Sequence, residues 1–76
     1  MSSDTAVSWV PVRSSNLKQV AYVPSSGTMY VEFNSGARYC FYDVPEPVYS
    51  GLLHSPSKGT YFNDVMRSGY HYERIF

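Results

Sequence analysis

Residue types that bind an anion occur together in the run Ser57-Lys58-Gly59-Thr60. The run lies where a helical pattern over residues 58–68 begins, so backbone N–H groups without a helical partner point outward there and the helix dipole adds positive charge. Gly59 lets an anion approach the backbone, Lys58 adds charge, and Ser57 and Thr60 add hydroxyl donors. We expect a phosphate site. The alternative is an ordinary helix start, capped by Ser57, with an exposed lysine.

The run lacks the length and glycine spacing of a Walker-type phosphate loop, so it does not indicate an NTPase.

Asn63 and Arg67 stand four residues apart, on one face of the same predicted helix. An amide can present a donor and an acceptor to a base edge, and a guanidinium can bind a phosphate or carboxylate with two parallel hydrogen bonds. Both are therefore candidate ligand-binding residues. A structural alternative has Asn63 bonding to the backbone of a hairpin and Arg67 pairing with Asp43 or Glu46.

Aromatic residues are unusually frequent, with eight tyrosines and four phenylalanines among 76 residues. In a small domain such residues supply large core area. They can equally form a platform on which bases stack, or an aromatic interface. Tyr39 and Tyr42 are the candidate ligand contacts among them.

The sequence gives no sign of catalysis, and we expect no catalytic residue. His54, Ser57 and Asp43 can be arranged on paper as a hydrolytic triad, but no nucleophile elbow or oxyanion-hole motif accompanies them. The single cysteine, Cys40, lies mid-strand between aromatic residues and is expected to be an inert thiol. No Cys and His spacing is typical of a zinc site, so neither metal nor cofactor is expected.

Charge sets the strongest limit on the ligand. Six Lys and Arg residues balance six Asp and Glu residues. Modules that bind long polyanions are usually basic, so we expect no long duplex DNA as partner, whereas a ligand with a few phosphates remains compatible. No segment is apolar enough to cross a membrane and no signal peptide is evident, which favours a cytoplasmic location without membrane contact.

A β-hairpin followed by a helix organises the chain. Residues 29–33 and 38–42 alternate as strands around Asn34-Ser35-Gly36, a link typical of a tight turn. An earlier strand is predicted over residues 17–23. Helices are predicted over residues 46–54, with Pro47 in the first turn, and over residues 58–68.

These elements predict an α+β fold, with a three- to four-stranded antiparallel meander sheet packed against two short helices. Residues 70–76 alternate again and supply the fourth strand. Residues 1–11 are predicted to be an N-terminal arm, extended at most as an edge segment near Pro11, and residues 12–76 one domain. Trp9 is too large to leave exposed, so the arm is expected to pack on the domain or on a neighbouring subunit.

The order and spacing of short motifs over residues 12–72 resemble the KTSC domain family. The motifs are Ser14-Ser15-Asn16-Leu17, Met29-x-Val31-x-Phe33, Gly36, Tyr39-x-Phe41, Val44-Pro45, Val48-Tyr49, Ser57-Lys58-Gly59-x-Tyr61-Phe62-Asn63, Arg67 and Tyr70. The family's central motif is Tyr-x-Tyr, and here Phe41 takes the second position, so that hydroxyl is absent or replaced by Tyr42.

The resemblance implies a domain found at the C-terminus of some lysyl-tRNA synthetases and as a stand-alone protein of bacteria and phages, with RNA binding suggested by the synthetase context. We therefore expect a non-catalytic module that binds a nucleotide-containing ligand, either a short RNA or a small nucleotide signal, cyclic or linear. A phage-type homo-oligomer can sequester such a signal. The alternative is a protein-interaction or assembly module, which the Trp9 arm and the edge strands favour.

Overall fold

The computed structural model describes residues 8–76, which form a five-stranded antiparallel sheet with two helices. The predicted α+β class is confirmed. The first seven residues of the predicted arm lie outside the described part. The elements in chain order are β1 (Val10–Pro11), β2 (Leu17–Val23), β3 (Thr28–Phe33), β4 (Arg38–Phe41), α1 (Glu46–His54), α2 (Lys58–Arg67) and β5 (Tyr72–Arg74), and the strands lie in sequence order.

The number of strands differs from the predicted three or four, because two very short strands complete the edges. Val10 and Pro11 pair with Val20 and Gln19 of β2, and β5 pairs with β4. Proline has no N–H to donate to a sheet, so an edge position suits β1. β5 lies within the fourth strand predicted over residues 70–76, whereas the two residues of β1 contain too little alternation to be predicted from their own sequence.

The hairpin of β3 and β4 forms as predicted, and its turn depends on Gly36. This residue has a φ of +97°, which side-chain-bearing residues rarely adopt. The Gly36 N–H donates to the Phe33 carbonyl, and the Phe33 N–H donates to the Ala37 carbonyl. The pairing of Val31 with Tyr39 follows, so both side chains project from the same face of the sheet.

A β-bulge at Lys18 sets which residues of β2 face the core. Leu17 pairs with Phe33 while Gln19 pairs with Glu32, so β2 carries one extra residue there. The extra residue lets Leu17 and Val20, three positions apart, both be buried.

One face of the sheet and both helices enclose the core. Phe62 of α2 packs edge-to-face against Phe33 and Phe41, with ring centroids 5.5 Å apart in each case. Such edge-to-face pairs are the geometry that aromatic quadrupoles favour. The buried cluster consists of Leu17, Val20, Met29, Val31, Phe41, Val44, Leu52, Phe62 and Val65.

The two helices meet at a glycine. A side chain at Gly51 of α1 would lie 2.9 Å from the Tyr61 ring carbon Cζ and closer still to the hydroxyl. The Tyr61 hydroxyl donates to the Val48 carbonyl at 3.0 Å. Gly51 therefore allows the close approach of α2.

The opposite face of the sheet is covered by side chains near the two ends of the described chain. The Arg38 guanidinium lies 5.5 Å from the Trp9 ring and 5.4 Å from the Phe76 ring. Beneath it, Glu32 is only 5% exposed, accepts a hydrogen bond from Gln19 and lies 3.5 Å from Arg38 Nε. At that distance the contact is an ion pair without hydrogen-bond geometry, so the rings hold the guanidinium. Trp9 thus packs on its own domain.

Three polar groups form a short hydrogen-bonded chain on the same face. The Cys40 thiol donates to the Tyr42 hydroxyl at 3.1 Å, and that hydroxyl donates to Glu73 Oε1 at 2.8 Å. The Tyr42 ring also stacks on His71, at 5.4 Å between centroids. The hydrogen bonds with Cys40 and then with Glu73 raise the pKa of Tyr42 well above its ordinary value.

We expect Gly51→Ala to destabilise the protein despite the better helix former. Alanine gains about 1 kcal/mol of helix propensity, but overpacking typically costs about 1–3 kcal/mol. The net loss in free energy of unfolding should be about 1 kcal/mol, measured by urea denaturation. In a Tyr61→Phe background the same change should cost less, because the closest atom is gone. An equal cost in both backgrounds would contradict the proposed clash.

We expect Tyr42 to make the stability fall at alkaline pH. Its pKa is raised in the folded state, so its contribution is complete below pH 10, the ordinary value, and is lost as pH rises above it, where the unfolded chain alone releases the phenolic proton. Urea denaturation between pH 9 and 11 should show a shallower fall for Tyr42→Phe than for the parent. Parallel curves of stability against pH for the two proteins would show that the pKa of Tyr42 is the same in the folded and unfolded states.

Candidate functional site

Three adjoining cavities form one groove along α2, here called the α2 groove. A polar cavity of about 340 Å³ lies at the start of the helix, a middle cavity of about 310 Å³ follows, and an aromatic cavity of about 440 Å³ lies against β4 and β5. Gly59 and Asn63 line both the polar and the middle cavity, and Phe33 and Phe62 line both the middle and the aromatic cavity. Neighbouring cavities therefore share walls, and together they form the α2 groove.

The polar cavity brings together five of the eight predicted ligand-binding residues. The loop that follows β1 supplies its opposite wall, with the exposed Arg13 at the rim. Its lining residues are Arg13, Ser14, Ser15, Asn16, Pro56, Ser57, Lys58, Gly59, Thr60 and Asn63.

Two of the predicted anion donors already have partners in the protein. Ser57 occupies the N-cap position, but its side chain makes no capping bond, and its hydroxyl donates to the Thr60 hydroxyl at 3.0 Å. Ser57 thus occupies the predicted N-cap position without the side-chain bond that the capping alternative assumed. Lys58 Nζ donates to the Ser55 carbonyl at 2.9 Å, where it also complements the negative end of α1.

Gly59 leaves its backbone accessible from the polar cavity. A Cβ atom placed on it would lie 3.7 Å from Asn16 Nδ2 and 3.9 Å from Ser14 Oγ, which is ordinary van der Waals contact. A methyl group fits here without displacing a neighbour, and it would occupy the space between the helix and the facing loop.

The middle cavity has a wall fixed by the hairpin turn. The Asn34 side chain donates to the Ser15 carbonyl at 3.0 Å, and its backbone N–H donates to the Asn16 carbonyl at 2.8 Å. Asn34 thus holds the turn in place. Asn63, which one interpretation assigned to a hairpin contact, is instead exposed and faces the groove.

The aromatic cavity contains the predicted Tyr39 and residues that the sequence analysis did not assign to a site. Tyr39 and Tyr72 have ring centroids 5.9 Å apart, and Tyr72 is 43% exposed. Arg74 Nε donates to the Phe76 carbonyl at 3.0 Å, so Arg74 is held at the edge of the cavity. The lining residues are Phe33, Ser35, Ala37, Tyr39, Phe41, Phe62, Met66, Tyr72 and Arg74.

Arg13, Tyr72 and Arg74 were missed because they reach the groove only through the tertiary fold. The alternation of Tyr72 and Arg74 was a usable signal, since it places both on one face of a strand. Nothing in the sequence indicated that this strand would pair with β4 and so lie beside Tyr39.

Arg67 and Tyr42 are not brought to the groove. Arg67 is exposed in the last turn of α2 and lines none of the three cavities. Tyr42 lies on the other face of the sheet, bound to Glu73. Within residues 8–76 the ion pair that forms joins Arg38 to Glu32, and neither Asp43 nor Glu46 pairs with Arg67.

The three residues of the possible hydrolytic triad, His54, Ser57 and Asp43, do not come together. His54 Nδ1 lies 2.8 Å from the Ser50 carbonyl within α1, and the Ser57 hydroxyl donates to Thr60. Across residues 8–76, no three His, Cys, Asp or Glu side chains are grouped as a metal site requires. Both described helices are too short and too polar to span a bilayer. The groove presents cations, amides and aromatic rings.

Comparison with known proteins identifies the family. The KTSC domain matches residues 13–70. A protein from Stutzerimonas stutzeri is 40% identical over 67 residues, which cover 87% of this chain and 94% of that protein. The crystal structure of a KTSC domain protein from Yersinia pestis superposes with a TM-score of 0.86 at 25% identity, covering 93% of this chain and all of the other.

Part of a longer enzyme is also similar. A lysine–tRNA ligase of Nostoc punctiforme is 34% identical over 59 residues, which cover 78% of this chain but 10% of the ligase. This chain thus spans about a tenth of the length of that enzyme. With the family match over residues 13–70 and the shared fold, the chain belongs to the KTSC domain family.

Proposed function

We propose that this protein is a non-catalytic module that binds a nucleotide-containing ligand in the α2 groove. The observation that carries the proposal is the sharing of walls between neighbouring cavities of the groove, which joins a polar end bearing cations to an aromatic end. A nucleotide has the same division, since its phosphate needs charge and hydrogen-bond donors while its base needs an apolar face.

The polar end suits a phosphate group. Arg13 is exposed at its rim, Lys58 lies in its wall, and the Gly59 backbone is open to the cavity. A guanidinium binds phosphate through two parallel hydrogen bonds. Lys58 is held by the Ser55 carbonyl, so the exposed Arg13 is the cation proposed to move onto a ligand.

The aromatic end suits a base. Tyr72 is exposed and lies beside Tyr39, which packs edge-to-face on Phe33 at 5.5 Å and is thereby held in place. Stacking of a base on such a side chain contributes about 1–3 kcal/mol and tolerates any base. Arg74 adds a cation at the edge of the same cavity.

The charge balance and the relatives are consistent with a short ligand. A net charge of zero disfavours a long polyanion, and the similar segment of a lysine–tRNA ligase makes RNA a reasonable source. A bacterial or phage-encoded oligomer in the cytoplasm that retains a nucleotide signal is the other version of the same proposal.

A second candidate is a protein-interaction module, and the observation that favours it is the apolar surface near the chain ends. Ile75 is 48% and Phe76 73% exposed, and the short β1 and β5 form the two sheet edges. Open edges can pair with a strand of another chain. Native mass spectrometry of freshly purified protein separates the two ideas, because retained nucleotide supports the first and a nucleotide-free stable oligomer supports the second.

We expect Gly59→Ala to weaken nucleotide binding about tenfold without unfolding the domain. The added methyl group meets no atom closer than 3.7 Å, and alanine favours a helix by up to about 1 kcal/mol, so stability should hold or rise. Calorimetric titration with adenosine monophosphate and an adenosine tetranucleotide, with urea denaturation in parallel, measures both effects. Unchanged affinity for both ligands in a folded variant would remove the polar cavity from the site.

We expect Arg13→Glu to reduce affinity for the tetranucleotide about tenfold, because it replaces a cation at the rim with an anion that repels phosphate. Lys18→Glu is the matched control, since it makes the same charge change at an exposed residue that lines none of the three cavities. The comparison is made by calorimetry at constant salt. Equal losses in both variants would point to a general charge effect.

A further inference from the structure

The length of the α2 groove sets a lower limit on its ligand, provided that the proposed nucleotide binding holds. Gly59 lines the polar cavity and Met66 the aromatic cavity. Seven residues of one helix separate them, which is about 10 Å at the rise of an α-helix. A single nucleotide would have to be fully extended to place its phosphate beside Gly59 and its base beside Met66, and it would leave Arg13 at the rim of the polar cavity without a phosphate.

The volumes of the three cavities lead to the same limit. Each cavity holds about 310–440 Å³, and sites for single small molecules range from roughly 300 to 1,000 Å³. One nucleotide therefore fills one cavity and leaves the rest of the groove empty. The middle cavity shares Asn63 with the polar cavity and Phe62 with the aromatic cavity, so a longer ligand that occupies neighbouring cavities passes over these residues.

We propose that the ligand is a single-stranded oligonucleotide segment of at least two nucleotides. One base lies in the aromatic cavity against Tyr72 and Tyr39, and the sugar-phosphate backbone runs past Asn63 to Arg13 at the polar end. The ligand thus lies along α2 with its base at the aromatic end and its phosphate at the polar end.

The strand has to be single because the aromatic surface is recessed between α2 and β5. A base in a duplex is stacked on both faces and paired at its edge, so it cannot enter such a cavity unless it is extruded. The charged residues that line the groove, Arg13, Lys58 and Arg74, are all cations, although the net charge of the whole chain is zero. This local charge complements the phosphates of a short strand.

The amide groups of the middle cavity complete the path between the two ends. Asn63 is exposed on α2 and Asn16 faces it across the groove. An amide can donate to a phosphate or ribose oxygen, or bond to a base edge. The second nucleotide of the segment lies here, between the base in the aromatic cavity and the phosphate at the polar end.

Calorimetric titration of the full chain with adenosine monophosphate, the dinucleotide ApA, the tetranucleotide ApApApA and a 12-base-pair duplex tests the inference. We expect the dissociation constant to fall at least tenfold from the mononucleotide to ApA, and the duplex to bind at least tenfold more weakly than the tetranucleotide. The deoxy tetranucleotide, run beside the ribose form, distinguishes single-stranded RNA from single-stranded DNA as the source.

Variants at the two ends separate this inference from the proposed function. Tyr72→Leu and Gly59→Ala should each weaken the tetranucleotide about tenfold, while Tyr72→Phe, which keeps the ring, should bind as the parent does. A mononucleotide should respond to only one of the first two changes. Circular dichroism and urea denaturation confirm that each variant is folded.

Each outcome of the titrations has a definite meaning. If the mononucleotide binds as tightly as the tetranucleotide, the two-nucleotide limit is wrong while the binding function stands. If the duplex binds as tightly as the single strand, the requirement for an unpaired base is wrong. If none of these ligands binds the folded protein, the proposed function fails and the inference fails with it.

Discussion

The packing of Phe62 against the sheet is the contact on which the rest of the structure depends. Its ring meets Phe33 and Phe41 edge-to-face and fixes the height of α2 above β3 and β4. The same ring lines both the middle and the aromatic cavity. One buried side chain therefore holds α2 against the core. It also sets the distance between α2 and the strands, and this distance is the width of the groove. In so small a domain, residues that form the core, such as Phe62, also line the α2 groove.

The central part of the fold could be predicted because its signals are local. The bounds of β2 and α1 agree with the predicted ranges, and the turn at Gly36 has the positive φ that its sequence indicated. Alternation, a first-turn proline and a glycine turn each act within a few residues. The edge strands were less accessible, since both exist through pairing with β2 and β4. The alternation of residues 70–76 indicated β5, whereas β1 contains too few residues to show a period.

The candidate site was predictable only in part, and the reason is again physical. Ser57 to Thr60 are contiguous, so their clustering at a helix start followed from the chain itself. The contributions of Arg13 and Arg74 arise from segments that meet through the sheet and the loop after β1. Tyr42 shows the converse error. It neighbours the core strand, but the alternation of β4 continues through it to the opposite face, where Glu73 binds it.

The contact of Arg38 with both Trp9 and Phe76 has a consequence for how the domain is used within larger proteins. Residues near each end of the described chain meet over one guanidinium, on the face turned away from α2. A domain whose two ends lie on one side can be inserted into, or joined to, another protein without the flanking segments crossing the face that carries the α2 groove. The geometry thus suits a domain that can be joined to different neighbouring domains while its groove stays accessible.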